Sequence, residues 1–431
     1  FRLLSLHPGR GLTAGAVAAL AGTSEAGARS LLEVLLDENL VEQRTADRYE
    51  LHDLLHAYAV ERAEADAASE AGRRDRAGAY DRLLSWYLHA AENVSRAVES
   101  RRLLETVPPL PGEPEPPHFG SAPEAMAWYD AERENLGAVI DCAAKTGRHE
   151  IALRLPIALL GCYQLRKDWP RWRAGYETGL AGAREVGDRA AESRLLNGLG
   201  LALFDVRAFE AAIEVFGQAL ALAEEFGDRA QVASVLGNIG DCHCHLHDFA
   251  TAEDVIKQSL ALWREIGTPQ NLASSLTNYG VMLYEAGRHG EAHDAHTEAW
   301  AAAREAGNRR YEAIIVFNLA EVCVALDRLA EAEEHFRLAS QAAREAADRP
   351  TEAEALRSLA GVLTARSRPA EALAALEEAL SVFDALGSPE AAAVREQLAG
   401  RAAAGAATGT ATTGTAGAAV AAPAAPGVSE A

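Results

Sequence analysis

Segments beginning at Gly187, Gly227, Gly267, Gly307, Ala347 and Gly387 align without a gap, forty residues apart each time. In register, "LLNGLGLALFDVRAFEAAIEVFGQAL" from Leu195 matches "VLGNIGDCHCHLHDFATAEDVIKQSL" from Val235, "SLTNYGVMLYEAGRHGEAHDAHTEAW" from Ser275 and "IVFNLAEVCVALDRLAEAEEHFRLAS" from Ile315. A fifth copy, "ALRSLAGVLTARSRPAEALAALEEAL", starts at Ala355. Two helical patterns fill each copy. The first carries a small residue at mid-helix (Gly200, Gly240, Gly280, Ala320, Ala360) and the second an alanine near its start (Ala212, Ala252, Ala292, Ala332, Ala372), where small side chains let neighbouring helices approach closely. A period of this length makes each copy one helix pair whose apolar face is covered only by stacking on its neighbours.

The pattern resembles the tetratricopeptide repeat, in the variety with lengthened helices, over residues 147 to 400. A weaker sixth copy opens at Gly147, with Trp169 and Trp172 in the columns otherwise held by Phe209 and Ala212, as an atypical first repeat. The resemblance implies an all-α fold, a right-handed α-solenoid whose first helices line a concave groove. In that family the column of Asn238, Asn278 and Asn318 faces the groove, where amides hydrogen-bond a bound peptide or protein. Gly198 and Ser358 hold the column in the flanking copies, and Asp241 and His245, one turn apart, are expected on the same face. The lysines and arginines that grip a terminal carboxylate are missing from the matching columns, where Ser234, Ser274 and Ile314 stand.

The stretch "DCHCHLH" at 241–247 has the residue types of a metal site. Successive residues of a helix point about 100° apart, so its side chains do not converge on one ion. A tetrahedral centre would need His243 with His247, or Asp241 with His245, plus ligands from a neighbouring repeat, and the register offers no matching pair. Cys242 and His243 fall in interior columns, Cys244 and His245 toward the groove. No metal ligand is assigned.

Alanine dominates the 49% hydrophobic fraction while aromatics reach only 6%, which favours close helix packing. A net charge of −22 repels phosphate backbones, so nucleic acid is not expected as a direct partner of this chain. Five irregularly spaced cysteines make no disulfide framework, and neither a signal peptide nor a membrane-spanning run is present, so a cytoplasmic protein without membrane association is expected. The chain opens at Phe1 rather than methionine, as a fragment of a longer protein would.

Residues 1–60 differ in texture. Ser24 can cap a helix carrying Leu31, Leu32, Val34, Leu35 and Leu36, and Asn39 can stop it. A β-ribbon is expected at Leu40 to Gln43 and Tyr49 to Leu51 around "RTAD", then a long helix from about His52, which together make a winged helix. Five arginines against eight carboxylates through Asp53 argue against DNA reading. "FRLLSLHPG" at Phe1, "RYELHDLLHAYAVERA" from Arg48, "RLLSWYLHAAENVSRAV" from Arg82 and "AMAWYDAERENLGAVIDCA" from Ala125 resemble the region after the nucleotide-binding core of actinobacterial NB-ARC (STAND) transcriptional regulators of the antibiotic-regulatory type. That family carries a winged helix and tetratricopeptide repeats behind an ATPase. The resemblance implies that Leu51, His52 and Asp53 stand in its "MHD" triplet, with His52 contacting the β-phosphate of ADP and Asp53 orienting it. The alternative is that His52 and Asp53 cap the helix that begins there.

No G-x-x-x-x-G-K-[ST] loop occurs between Phe1 and Ala431, so ADP or ATP binding would require an upstream nucleotide-binding domain. No nucleophile–base arrangement or carboxylate pair has supporting context, and the chain is read as non-enzymatic. Residues 61–146 are a helical linker region containing an extended proline-rich connection at 108–117, and the Ala/Gly/Thr-rich segment 401–431 is expected to be disordered. The expected function is regulation through a partner held in the groove and coupled to that upstream switch. The alternative is a free-standing tetratricopeptide adaptor without nucleotide involvement.

Overall fold

The structure, a computed structural model, describes residues 1–98, 108–346, 348–386 and 388–408, without the side chains of 401–408. It divides into two compact units, Phe1–Gly227 and the chain from Asp228 onward. The boundaries expected at 60 and 146 both fall inside the first unit.

The first unit opens with a short 3-10 helix (Arg2–Leu6), followed by α1 (Ala14–Ala21) and α2 (Glu25–Asp37). Ser24 Oγ accepts from the Gly27 amide at 3.2 Å to start α2, and Asn39, at φ 56°, turns the chain after it. Strands β1 (Glu42–Thr45) and β2 (Arg48–Glu50) pair antiparallel in a register that sets Gln43 opposite Tyr49. Leu12 bridges Tyr49 from the other side. The long helix expected from His52 is two helices: α3 (Asp53–Asp66) stops, and Ser69 Oγ accepts from the Gly72 amide at 3.0 Å to cap α4 (Glu70–Val98). The apolar run of α2 is only partly used, since Leu32 is buried but Leu31 and Val34 are more than half exposed.

The described part of the proline-rich connection is extended apart from a turn at Pro111–Gly112 closed by the Glu113 amide on the Leu110 carbonyl (3.0 Å), and it is strapped along α4. Trp86 Nε1 donates to the Glu115 carbonyl (3.4 Å), Asn93 Nδ2 to that of Pro117 (2.8 Å), and His89 Nδ1 lies 2.5 Å from the buried Glu113 carboxylate. Burial alone would raise the Glu113 carboxyl, but bonds from His89 and the Leu110 amide hold it below the usual range. After α5 (Ala122–Lys145) come α6 (His149–Ala158), α7 (Leu160–Arg166), α8 (Trp169–Val186), α9 (Arg189–Asp205) and α10 (Phe209–Phe226). Pro156 inside α6 removes an amide donor, and the helix breaks at Leu159 before resuming as α7. Trp172, fully buried, stacks on Tyr163 (centroids 6.3 Å apart, planes at 10°), whereas Trp169 is exposed and donates to Asp205.

The second unit runs α11 (Arg229–His245), α12 (Phe249–Ile266), α13 (Pro269–Glu285), α14 (His289–Ala306), α15 (Arg309–Ala325), α16 (Leu329–Glu345), α17 (Arg349–Ala365), α18 (Pro369–Leu386) and α19 (Glu390–Thr408). Each repeat is punctuated twice. Gly187, Gly227, Gly267 and Gly307 end second helices in the left-handed region, and Asp188, Asp228, Asn308 and Asp348 cap the first helices that follow. Between the two helices of each pair a second left-handed position is filled by Arg207, His247, Gly287, Asp327 or Ser367. The last histidine of "DCHCHLH" is therefore a turn residue. Inside each pair the small mid-helix residue receives a large one: a Cβ on Gly200 would lie 2.4 Å from Phe216, on Gly240 2.4 Å from Ile256, and on Gly280 2.5 Å from His296. The protein is all-α apart from the ribbon, of the α-solenoid class. Helix α19 extends to Thr408, eight residues into the segment expected to be disordered, because its alanines favour helix. Residues 409–431 lie outside the described residues. Among those described, no helix is long and apolar enough to cross a membrane.

Candidate functional site

In the second unit the first helices α11, α13, α15 and α17 lie against one another in order. One stripe of each stays partly open at helical spacing, giving a continuous face: Ser234 and Asp241, then Ser274 and Asn278, then Ile314 and Glu321, then Glu354 and Arg357. The asparagine column runs at the bottom of this face. Asn278 is partly exposed and donates from Nδ2 to Asp241 Oδ2 at 2.7 Å, tying α13 to α11. Asn238 and Asn318 are buried, and both amide atoms of Asn318 lack a hydrogen-bond partner. The register explains this: Val281 occupies the column where Asp241 serves Asn278, so Asn318 meets no carboxylate there. His245 is exposed at the end of α11.

The face is acidic. Glu321, mostly buried, is pushed up to about 7 by burial and by Glu354 beside it, against the opposing pull of Arg357. Glu354 and Arg357 pair at 2.5 Å. Cys244 donates from Sγ to Glu285 Oε2 at 3.3 Å, and burial, with the Glu285 charge second, holds its thiol far above the usual range. Within "DCHCHLH", Cys242 and Cys244 are buried while His245 and His247 are exposed, and His243 pairs with Asp248 at 3.3 Å.

His52 and Asp53 stand at the start of α3. His52 holds the N-cap position in extended backbone, yet its side chain makes no capping hydrogen bond, and Asp53 is exposed in the first turn. Large apolar residues beside them, Leu54 (78% exposed) and Tyr58 on α3, are also open, as are Leu31 and Val34 on α2.

Sequence reasoning missed a buried polar network that locks residues 1–60 onto α4 and α5. Arg48 meets Glu132 at 2.5 Å, Tyr87 donates its hydroxyl proton to Glu132 Oε2 at 3.0 Å, and Asn135 Nδ2 donates to the same oxygen at 2.8 Å. His7 Nε2 lies 2.9 Å from the Tyr87 hydroxyl. Burial raises the Glu132 carboxyl in spite of Arg48, and pushes His7 down to about 4. Apart from Asn135 and Glu132, these partners are 45 to 84 residues apart in the chain, and no local pattern in "DAERENLG" announces a buried glutamate.

Residues 231–305 and 311–385 match the tetratricopeptide repeat family. The chain is similar to regulatory protein AfsR of Streptomyces griseus, 31% identical over 198 residues, which is 45% of this chain and 20% of that protein. It is also similar to regulatory protein AfsR of Streptomyces coelicolor, 33% identical over 162 residues, or 36% and 16% of the two chains. The chain thus spans at most a fifth of the length of these curated relatives. A crystal structure of a Signal Transduction ATPase with Numerous Domains (STAND) protein with a tetratricopeptide repeat sensor, from Pyrococcus horikoshii, matches 89% of this chain and 49% of its own with a TM-score of 0.56. At 13% identity that likeness establishes the fold alone.

Proposed function

We propose that this chain is the non-enzymatic regulatory and protein-interaction part of a STAND-type transcriptional regulator, acting in the cytoplasm. The first-helix face of the second unit holds a protein or peptide, and the winged helix formed by the first sixty residues couples that event to an upstream nucleotide switch. The observation that carries the reading is the set of partly open carboxylates on this face, Asp241 on α11, then Glu321 on α15 and Glu354 on the adjacent α17, with Arg357 beside Glu354. Such a face suits a cationic segment, in which lysine or arginine side chains meet the carboxylates and the backbone meets amides such as Asn278. Similarity to regulatory proteins and the repeat match support a regulatory interaction role. The coupling half of the proposal rests on His52, whose imidazole stands at the start of α3 and makes no capping bond, as expected of a group that serves a phosphate of another domain. Partner capture shifts such a switch only by binding one of its states more tightly.

A peptide-display selection on the immobilised chain tests the interaction. Lysine- and arginine-rich sequences should be enriched, and Glu321→Gln with Glu354→Gln should abolish the enrichment while leaving the circular dichroism unchanged. Enrichment indifferent to these variants and to Asn278→Ala would refute the face as the binding site.

A further inference from the structure

The forty-residue register provides an internal control for a side-chain cluster in the second unit. In one repeat step Glu253 on α12, Leu283 on α13 and Glu291 at the start of α14 surround Arg288, which binds Glu253 at 2.6 Å and Glu291 at 2.6 Å. Two steps on, Glu333, Leu363 and Glu371 surround Arg368 in the same way, with Arg368 on Glu333 at 2.6 Å and on Glu371 at 2.5 Å. The step between them departs from this plan at two of its three positions. His293 replaces the glutamate and Cys323 replaces the leucine, while Glu331 stays. Arg328, the counterpart of Arg288 and Arg368, has lost its carboxylate at 293 and stands 3.8 Å from Glu331.

The leucine-to-cysteine change adds a ligand and the glutamate-to-histidine change trades an oxygen ligand for a nitrogen one, and the new side chains converge with Glu331. One ligand atom each from His293 (α14), Cys323 (α15) and Glu331 (α16) lie within 4.8 Å of one another. Tetrahedral zinc with ligands at about 2.0–2.3 Å sets neighbouring donors roughly 3.3–3.8 Å apart, so closing the cluster takes about an ångström of side-chain movement. Cys323 is buried, His293 partly open and Glu331 exposed, so an ion has a route in from solvent and a covered thiol to meet. We propose that His293, Cys323 and Glu331 form a zinc site tying α14, α15 and α16 together. A borderline imidazole, a soft thiolate and a carboxylate from three elements make a set that favours Zn²⁺ over Mg²⁺ or Ca²⁺, which prefer all-oxygen shells. Binding replaces the Cys323 S–H with an S–Zn bond, and the proton leaves to solvent. The fourth position falls to water.

The register also supplies variants that preserve the fold, since Cys323→Leu and His293→Glu install the residues the flanking repeats already use. The chelator-treated chain is titrated with Zn²⁺ against a chromogenic chelator, and separately with Co²⁺ under absorption spectroscopy. The wild-type chain should bind one equivalent of zinc at micromolar affinity or tighter, melt higher with zinc, and give a thiolate-to-cobalt charge-transfer band. Cys323→Leu should lose the equivalent, the melting shift and the band, and His293→Glu, whose new carboxylate Arg328 can engage as Arg288 and Arg368 engage Glu253 and Glu333, should shift the zinc titration to weaker binding; both should keep the helical signal. Cys242→Ala with Cys244→Ala should retain all three. Zinc binding that survives Cys323→Leu, that vanishes with the 242/244 variant, or that is absent from the wild-type chain would overturn the assignment.

Discussion

His296→Phe should make the second unit less sensitive to acid. His296 is buried on α14 with its ring against the backbone of Gly280, Nδ1 has no hydrogen-bond partner, and burial, with the His293 charge second, pushes it down from 6.5 to about 4. The folded protein therefore refuses a proton that the unfolded chain accepts. Above the unfolded value neither state is protonated and the residue is silent. As the pH falls from 6.5 toward 4 the unfolded state gains the proton first, stability drops, and below about 4 the loss levels off. At about 1.36 kcal/mol per pH unit the difference amounts to roughly 3 kcal/mol. Phenylalanine cannot titrate, and the pair Gly200 and Phe216 shows that the same packing accepts a phenyl ring. The variant's stability at neutral pH is set by relief of the unpaired Nδ1, about 1–3 kcal/mol, against overpacking of similar size. The stability of the variant relative to the wild type should nonetheless rise by about 3 kcal/mol on going from neutral pH to about pH 4. Because repeat arrays do not always unfold in one step, urea unfolding followed by circular dichroism should be paired with hydrogen exchange resolved to peptides of α13 and α14. A difference that stays constant across this range would refute the reasoning.

His247 occupies a left-handed turn position (φ 59°) that the next repeat fills with Gly287, so His247→Gly should stabilise the chain by roughly 1 kcal/mol in denaturant melts. Arg48→Met strands the carboxylate of Glu132, which is 1% exposed, and should cost about 3–5 kcal/mol at neutral pH. Because burial already raises Glu132, that deficit should shrink on acidification, as a protonated carboxyl needs no cation; a deficit independent of pH would point to lost packing instead.

The periodic parts of the fold were legible because a repeat states its own rules several times. The forty-residue spacing, the mid-helix glycines at 200, 240 and 280 and the Ser24 cap all reappear as structure. Features that depend on one-off contacts were not. The break at Ser69 between α3 and α4 lies in a stretch whose composition suits continued helix, and the strap of the proline segment onto α4 depends on single bonds from Trp86, His89 and Asn93. The asparagine column was found by register, but register does not convey depth: Asn238 and Asn318 sit lower between helices than a groove-lining residue should, and the open stripe passes instead through Asp241, Glu321 and Glu354. "DCHCHLH" drew attention through its composition, yet helix geometry scatters its side chains. His293, Cys323 and Glu331 are separated by 30 and 8 residues, and three helices bring them together.

The most direct test of the regulatory account is the affinity for ADP of the protein translated from the coding DNA that includes the region ahead of Phe1, compared between wild type and His52→Ala. The account predicts a phosphate-binding loop in that region and ADP binding weakened about tenfold or more by the substitution, the worth of one hydrogen bond to a charged phosphate. An upstream region without such a loop, or ADP affinity unchanged by His52→Ala, would contradict it and leave a repeat adaptor with no nucleotide switch.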